Sequence, residues 1–157
     1  MPSLIHIEIL ERMKIRFGNR MAVLSNWYRA YPYRMFERKY QLAESEVAAL
    51  YCLGQAAGLN ATDICEITGR PKNSISRAIN LLMEKKFVTR RTDIRDKRRK
   101  ILDLTDKGYQ AFKESEEWFV ATERAMLSAL TPEEVATLDI MLRKMIHHTP
   151  TWVDSFK

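Results

Sequence analysis

The spacing of apolar residues predicts an amphipathic helix in the middle of the chain, over residues 72–86. Apolar residues recur there at i, i+3, i+4, i+7 and i+8. They are Ile75, Ala78, Ile79, Leu82 and Met83. A rotation of about 100° per residue puts polar residues on the opposite face. That face carries Asn73, Arg77, Asn80 and Glu84, flanked by Ser74 and Ser76.

Two shorter helical patterns precede this helix. Residues 44–53 form an apolar helix that we predict to end at Gly54. Thr62 or Asp63 can then cap a brief helix that ends at Gly69. This brief helix and the helix over residues 72–86 are joined by a few residues that include Gly69, which is typical of a helix-turn-helix.

After residue 86, the spacing of apolar residues changes from helical to the alternation of apolar and polar residues that is typical of strands. Residues 87–92, "FVTRRT", and residues 100–105, "KILDLT", predict two antiparallel strands. The loop between them, around residues 93–98, contains no glycine. A tight two-residue turn is therefore disfavoured, and we expect an extended projection.

Longer helical patterns flank this central unit. Residues 4–29 have a mixed helical pattern that we predict to end or bend near Pro32, in the aromatic segment "NWYRAYPYRMF". Thr105 can cap a helix to about Leu130, and Thr131 opens another with a capping box.

The flanking helices carry more apolar surface than the central unit can cover, so we expect a second copy of the chain to cover it. The predicted fold is mainly α with a small β wing: a winged helix-turn-helix flanked by N- and C-terminal dimerisation helices. We assign residues 39–106 to the winged helix-turn-helix, and residues 1–38 and 107–157 to dimerisation.

The net charge of +6 is unevenly distributed. Residues 90–100 hold seven basic and two acidic side chains, a net charge of +5, whereas residues 107–157 hold six basic and eight acidic ones. Positive charge is therefore concentrated where a polyanion can meet it.

Two aspartates, Asp93 and Asp96, interrupt the basic block "RRTDIRDKRRK". A loop that holds only arginine and lysine repels itself, and long side chains lose entropy when they are ordered. We expect the aspartates to pair with the arginines and with loop backbone amides, and so to organise the tip into one shape.

Composition limits the remaining possibilities. The length, 157 residues with 46% apolar, fits one domain with a core. No apolar run approaches the roughly 20 residues of a membrane span, so we expect a cytoplasmic protein. Cys52 and Cys65 lie in apolar surroundings without a CxxC spacing. No catalytic, cofactor or metal motif is present in the sequence, so we expect neither an enzyme nor a cofactor.

The segment "DIRDKRRKILDLTDKG", residues 93–108, carries the pattern D-x-R-D-x-R followed by L-x-L-T-x-x-G. In this it resembles the MarR family of bacterial winged helix-turn-helix transcription regulators. "SISRAINLLMEKKFVTR" resembles that family's recognition helix running into the wing. "LAESEVAALYCLG" is similar to that family's second helix, with Leu42-Ala43 where the family usually has Leu-Thr.

The resemblance implies a homodimer that binds double-stranded DNA, commonly as a repressor of a palindromic operator. The recognition helix would enter the major groove. Its expected contacts are Lys72, Asn73, Ser74, Ser76, Arg77 and Asn80. The wing would add Arg95, Lys97 and Arg98, and either Arg95 or Arg98 would enter the minor groove.

The family also implies release by a small, often aromatic, ligand. Aromatic and basic residues of the N-terminal segment could line such a pocket. The expected residues are Arg16, Arg20, Trp27, Tyr31, Tyr33 and Phe36. Aromatic residues in this pattern more often form the core of a helix interface.

The main alternative is a nonspecific or architectural nucleic-acid-binding protein that uses the basic block alone. It would bind any duplex with a steep salt dependence. A regulator would prefer one sequence by at least about 10³-fold.

Overall fold

The computed structural model describes the backbone of residues 4–155 and the side chains of residues 7–155. The outermost residues of the predicted dimerisation segments, 1–3 and 156–157, lie outside this range. The helices are α1 (Leu4–Arg12), α2 (Arg16–Tyr40), α3 (Glu44–Gln55), α4 (Ala61–Thr68), α5 (Lys72–Glu84), α6 (Asp106–Leu127), α7 (Pro132–His147) and α8 (Thr149–Asp154), and the strands are β1 (Val88–Thr92) and β2 (Lys100–Leu104). None of these helices is long and apolar enough to cross a membrane.

The chain divides into two compact units after Thr122. The first contains α1 to β2 and most of α6, and the second contains the remainder. The predicted mainly α fold with a small β wing is confirmed. The assignment of residues 1–38 and 107–157 to dimerisation stays a prediction.

The predicted apolar stripe of α5 is confirmed. Ile75, Ala78, Ile79 and Leu82 are buried. Ile75, Ile79 and Leu82 share one core with Leu50 of α3 and Ile64 of α4, and the partly buried Met83 packs against it. The two helices before α5 therefore pack beneath it. The buried side of α5 is thereby fixed, and its polar side must face outward.

The two strands form the predicted antiparallel pair, with Val88 opposite Leu104 and Thr92 opposite Lys100. The backbone N–H of Leu102 also donates to the carbonyl of Leu59, just before α4, at 2.9 Å. The base of the wing is thus bonded to the helix-turn-helix, and residues 93–99 form the loop that joins the two strands.

Of the two alternatives predicted near Pro32, a helix end is wrong, because α2 runs through it to Tyr40, and a bend stays a prediction. A proline inside a helix costs about 3 kcal/mol through a lost hydrogen bond and a clash. Burial offsets that cost here: Pro32 and Phe36 are both buried, and the Phe36 ring meets Trp118 of α6 edge-on, with centroids 5.3 Å apart. The expected connector is therefore a helical turn that packs against α6.

Gly54 does not end α3, which continues to Gln55. A Cβ at Gly54 would lie 2.2 Å from the ring of Phe112, so glycine permits close approach of α6. The cap of α4 also differs from the prediction. Asn60 is the N-cap, and Asp63, three residues on, completes a capping box.

Caps in the C-terminal half follow the sequence closely. The hydroxyl of Thr105 accepts from the N–H of Gly108 at 3.1 Å at the start of α6. Thr131 and Glu134 form the predicted capping box of α7. In the second unit, large apolar side chains of α7 such as Ile140 and Ile146 are exposed, and none of its described residues is buried.

Candidate nucleic-acid interface

The outer face of α5 presents a row of polar side chains. Lys72, Asn73, Ser76, Arg77 and Asn80, all predicted contacts, are exposed. They are held in register because the opposite face of the same helix is buried. The face therefore offers amide and guanidinium groups on a rigid support, which is the chemistry that reads base edges.

Ser74 differs from the other predicted contacts on α5. It is half-buried, and its Oγ lies 2.8 Å from the Oγ of Ser45 on α3. Ser45 also accepts a hydrogen bond from Nη1 of Arg70 at 3.3 Å. Ser74 thus links α5 to α3, and its role as a DNA contact stays a prediction.

The wing tip is ordered by its two aspartates through backbone hydrogen bonds. Oδ1 of Asp93 accepts from the N–H of Arg95 at 2.9 Å, and Oδ1 of Asp96 accepts from the N–H of Arg98 at 2.9 Å. The N–H of Asp93 donates to the carbonyl of Arg99 at 3.0 Å. Two consecutive Asx turns therefore shape the loop.

The expected pairing of these aspartates with arginine side chains is not found. Among the side chains of residues 7–155, neither Asp93 nor Asp96 forms an ion pair. Because each carboxylate faces the backbone, the side chains of Arg95, Lys97 and Arg98 remain exposed. The acids order the loop and leave its cations accessible.

Arg99 ties the wing to the first helix of the helix-turn-helix. Its Nη2 donates to Oδ2 of Asp63 at 3.0 Å and to the carbonyl of Gly58 at 3.3 Å. Asp63 also accepts from the N–H of Asn60 at 2.8 Å, so one carboxylate caps α4 and holds the wing. A partly exposed pair adds little stability, and its effect is to fix geometry.

Two arginines of β1 belong to the surface but were not among the predicted contacts. Nη2 of Arg90 donates to Oδ1 of Asn80 on α5 at 3.2 Å, which joins the wing to the exposed polar face of α5. Nε of Arg91 lies 2.6 Å from Oδ2 of Asp103 on β2. The basic block of the sequence begins at Arg90, so its full extent could have identified both arginines as part of this surface.

The six predicted pocket residues are not brought together. Because α2 is one continuous helix, they fall on two faces. Arg16, Arg20, Trp27 and Tyr31 lie on an exposed face, with Trp27 53% and Tyr31 42% exposed. Tyr33 is half-buried and Phe36 buried on the opposite face.

A cavity of about 250 Å³ lies instead between α2, α3 and α6. Of the predicted set it contains only Tyr33, whose ring lies 5.9 Å from the guanidinium carbon of Arg29. It is lined by Tyr28, Arg29, Tyr33, Val47, Ala48, Tyr51, Cys52, Thr68, Arg70 and Phe119. Burial raises the pKa of the Cys52 thiol, which disfavours the reactive thiolate. Two arginines on a mostly apolar wall suit a small aromatic anion.

Comparisons with known proteins agree with this geometry. Residues 40–99 match the model of the MarR family. The chain is 30% identical over 112 residues to the uncharacterized HTH-type transcriptional regulator YwaE of Bacillus subtilis, covering 71% of this chain and 66% of that protein. It is 31% identical to the HTH-type transcriptional regulator PetP of Rhodobacter capsulatus, covering 62% of this chain and 59% of PetP. The matched segment thus spans slightly less than two thirds of each relative.

The fold is shared with solved structures. The crystal structure of the S. aureus MepR–DNA complex aligns with a TM-score of 0.71 at 23% identity, covering 83% of this chain and 96% of that one. The shared fold includes the helix-turn-helix and wing described above. The match over residues 40–99 places that segment of the chain in the MarR family of winged helix-turn-helix transcription regulators.

Proposed function

We propose that this protein is a sequence-specific DNA-binding transcription regulator. The observation that carries the proposal is one folded unit with an exposed polar helix face beside an exposed basic loop, joined by the Arg90–Asn80 hydrogen bond. The similarity of the chain to the HTH-type transcriptional regulators YwaE and PetP supports it. So does the DNA in the MepR complex.

In this proposal α5 lies in the major groove and reads sequence. Arg77 can donate two hydrogen bonds to O6 and N7 of guanine. The side-chain amide of Asn73 or Asn80 can donate to N7 of adenine and accept from its N6 amino group. Ser76 adds a further polar contact. Lys72 stands in the first turn, where the helix N-terminus and its own charge both favour a phosphate.

The wing supplies affinity that depends less on sequence. Arg95, Lys97 and Arg98 are exposed at a loop tip that is ordered before DNA arrives. Preorganisation lowers the entropy lost on binding. We assign one of the two arginines to the minor groove and Lys97 to a phosphate.

The active form in this proposal is a homodimer. Large apolar side chains repeat every three or four residues along the exposed face of α2: Phe17, Met21, Leu24, Trp27 and Tyr31. Exposed apolar rows of this kind mark association surfaces. A twofold dimer places two copies of α5 about 34–36 Å apart, which predicts a palindromic operator.

We further propose that a small aromatic acid in the α2–α3–α6 cavity releases the protein from DNA, making it a repressor. Arg29 and Arg70 line that cavity. Arg70 also donates to Ser45, which contacts Ser74 of α5. A ligand carboxylate would compete for Arg70 and so loosen a contact that fixes the recognition helix.

Selection from a random duplex pool at near-physiological salt, with light scattering to record the oligomeric state, tests the proposal. An inverted repeat with half-sites about ten base pairs apart, bound by a dimer, is expected. An unenriched pool bound only at low salt would instead favour nonspecific binding through the basic block. A panel of aromatic carboxylates added to the operator complex then tests release, with Arg70→Gln as the variant expected to resist it.

A further inference from the structure

The tip of the wing carries one large apolar side chain, Ile94. It is 91% exposed, the highest exposed fraction among the large apolar side chains that the structure describes. Its chain neighbours are Asp93 and Arg95, and the rest of the tip is charged. Nothing in the first unit covers it, although most of an isoleucine side chain is normally removed from water.

Ile94 is also held in place. The hydrogen bond from the N–H of Arg95 to Oδ1 of Asp93 closes a turn in which Ile94 is the central residue. A β-branched side chain has few rotamers. The tip therefore presents a rigid apolar group whose insertion into a groove would lose little conformational entropy.

We propose that Ile94 is an apolar minor-groove contact of the wing, packing against the deoxyribose edges while the neighbouring basic side chains meet phosphates. The inference rests on the proposed DNA-binding function and adds a contact residue to it. The minor groove is about 6 Å wide, and its binding proteins often insert apolar side chains, isoleucine among them.

Both reach and charge favour DNA as the group that covers Ile94. The two strands of the wing are five residues long. At about 3.3 Å per residue, they carry the tip about 16 Å from its base. Arg95, Lys97 and Arg98 surround the tip with positive charge. A second copy of this tip would repel it, whereas a polyanion would be attracted.

The first test compares Ile94→Ser and Ile94→Val with the wild-type protein on the selected operator and on an A·T-rich duplex of unrelated sequence. Loss of a partly buried isoleucine contact should weaken binding of Ile94→Ser about tenfold, and Ile94→Val about twofold at most. Because no charge is removed, the slope of log affinity against log salt should not change. Lys97→Ala is the matched control, and it should lower that slope by about one.

A second test locates the contact in the minor groove. Replacing adenine by 2,6-diaminopurine under the wing adds an amino group to the minor groove and leaves the major-groove edge intact. This base replacement should weaken DNA binding by the wild-type protein more than DNA binding by Ile94→Ser. The difference is the coupling energy of a double-mutant cycle. Equal weakening of both proteins would show that Ile94 does not face that groove.

The outcomes separate this inference from the proposed function. If the wild-type protein binds the operator and Ile94→Ser binds it equally tightly, the Ile94 contact alone is overturned. Equal wild-type affinity for every duplex, with Ile94→Ser weaker on the A·T-rich one, would overturn sequence-specific regulation and support the contact. No binding to either duplex would overturn both. Thermal unfolding of Ile94→Ser should match the wild type, since the side chain is exposed.

Discussion

Helix α5 and the wing tip differ in what orders them. α5 is fixed by a buried apolar stripe that belongs to the core of the first unit. Residues 94–100 of the wing are all exposed, and hydrogen bonds from side chains to the backbone shape the tip. The position of α5 therefore depends on packing in the folded core, whereas the shape of the tip depends on hydrogen bonds within the loop itself. Substitutions in the wing can change binding without changing stability.

Two side-chain contacts join the regions. Arg90 reaches Asn80 on α5, and Arg99 reaches Asp63 at the start of α4. Both are partly exposed, so each fixes relative position more than it stabilises the fold. The wing is thus positioned by residues outside its tip.

The largest effect is expected from removing core beneath α5. Leu82→Ala deletes a fully buried side chain and should lower the free energy of unfolding by about 2–5 kcal/mol. Urea denaturation measures this. Ser76→Ala, on the exposed face of the same helix, is the control and should change stability by less than about 0.5 kcal/mol. A stable Leu82→Ala protein would contradict the view that burial orders α5.

The next effect separates the tasks of the two regions. Arg77→Ala should cost about 1–3 kcal/mol of operator affinity and relax preference at one base pair. If the side chain of Arg98 meets phosphate, Arg98→Ala should weaken all duplexes alike and reduce the salt slope by about one. Titrations on the operator and on single-base variants at several salt concentrations distinguish them. If both variants changed sequence preference and salt dependence to the same extent, sequence reading by α5 and phosphate contact by the wing could not be separate roles.

Local periodicity was sufficient to predict much of this architecture. The spacing of Ile75, Ile79 and Leu82 located α5 and its buried side, and the alternation around Leu102 located β2. Thr131 and Glu134 identified the cap of α7 because a capping box is contained in four residues. Each of these signals lies within one element.

Contacts between distant residues could not be read in the same way. Gly54 was interpreted as a helix end because the ring of Phe112, which requires a glycine there, belongs to another helix. Pro32 predicts an end or a bend because the packing that accompanies the continuous helix, such as Phe36 against Trp118, involves a helix distant in sequence. The pocket residues were grouped by proximity in sequence, and the continuous helix α2 separated them.

A smaller effect is expected from the aspartates of the wing. Asp93→Ala removes the acceptor that orders the tip, and we expect about three- to tenfold weaker DNA binding, with thermal unfolding unchanged. Asp93→Asn keeps a side-chain oxygen for the N–H of Arg95 and removes a charge that repels phosphate. It should bind at least as tightly as the wild type. Weak binding by both variants would mean that the charge of Asp93, and not its hydrogen bond, is required.

The smallest effect is expected at the link between wing and helix-turn-helix. Arg99→Gln breaks the ion pair with Asp63 and should lower the free energy of unfolding by less than about 1 kcal/mol. Amide hydrogen exchange should increase in residues 93–99 and stay unchanged in α5. Faster exchange in α5 as well would show that the two regions are ordered together.

The most direct test of the account is the affinity of the wild-type protein for its selected operator and for a scrambled duplex of the same length and composition, at near-physiological salt. Reading by α5 predicts a ratio of at least about 10³ in favour of the operator. A ratio near one, with both affinities falling steeply as salt rises, would mean that the basic wing alone binds DNA and that α5 reads no sequence.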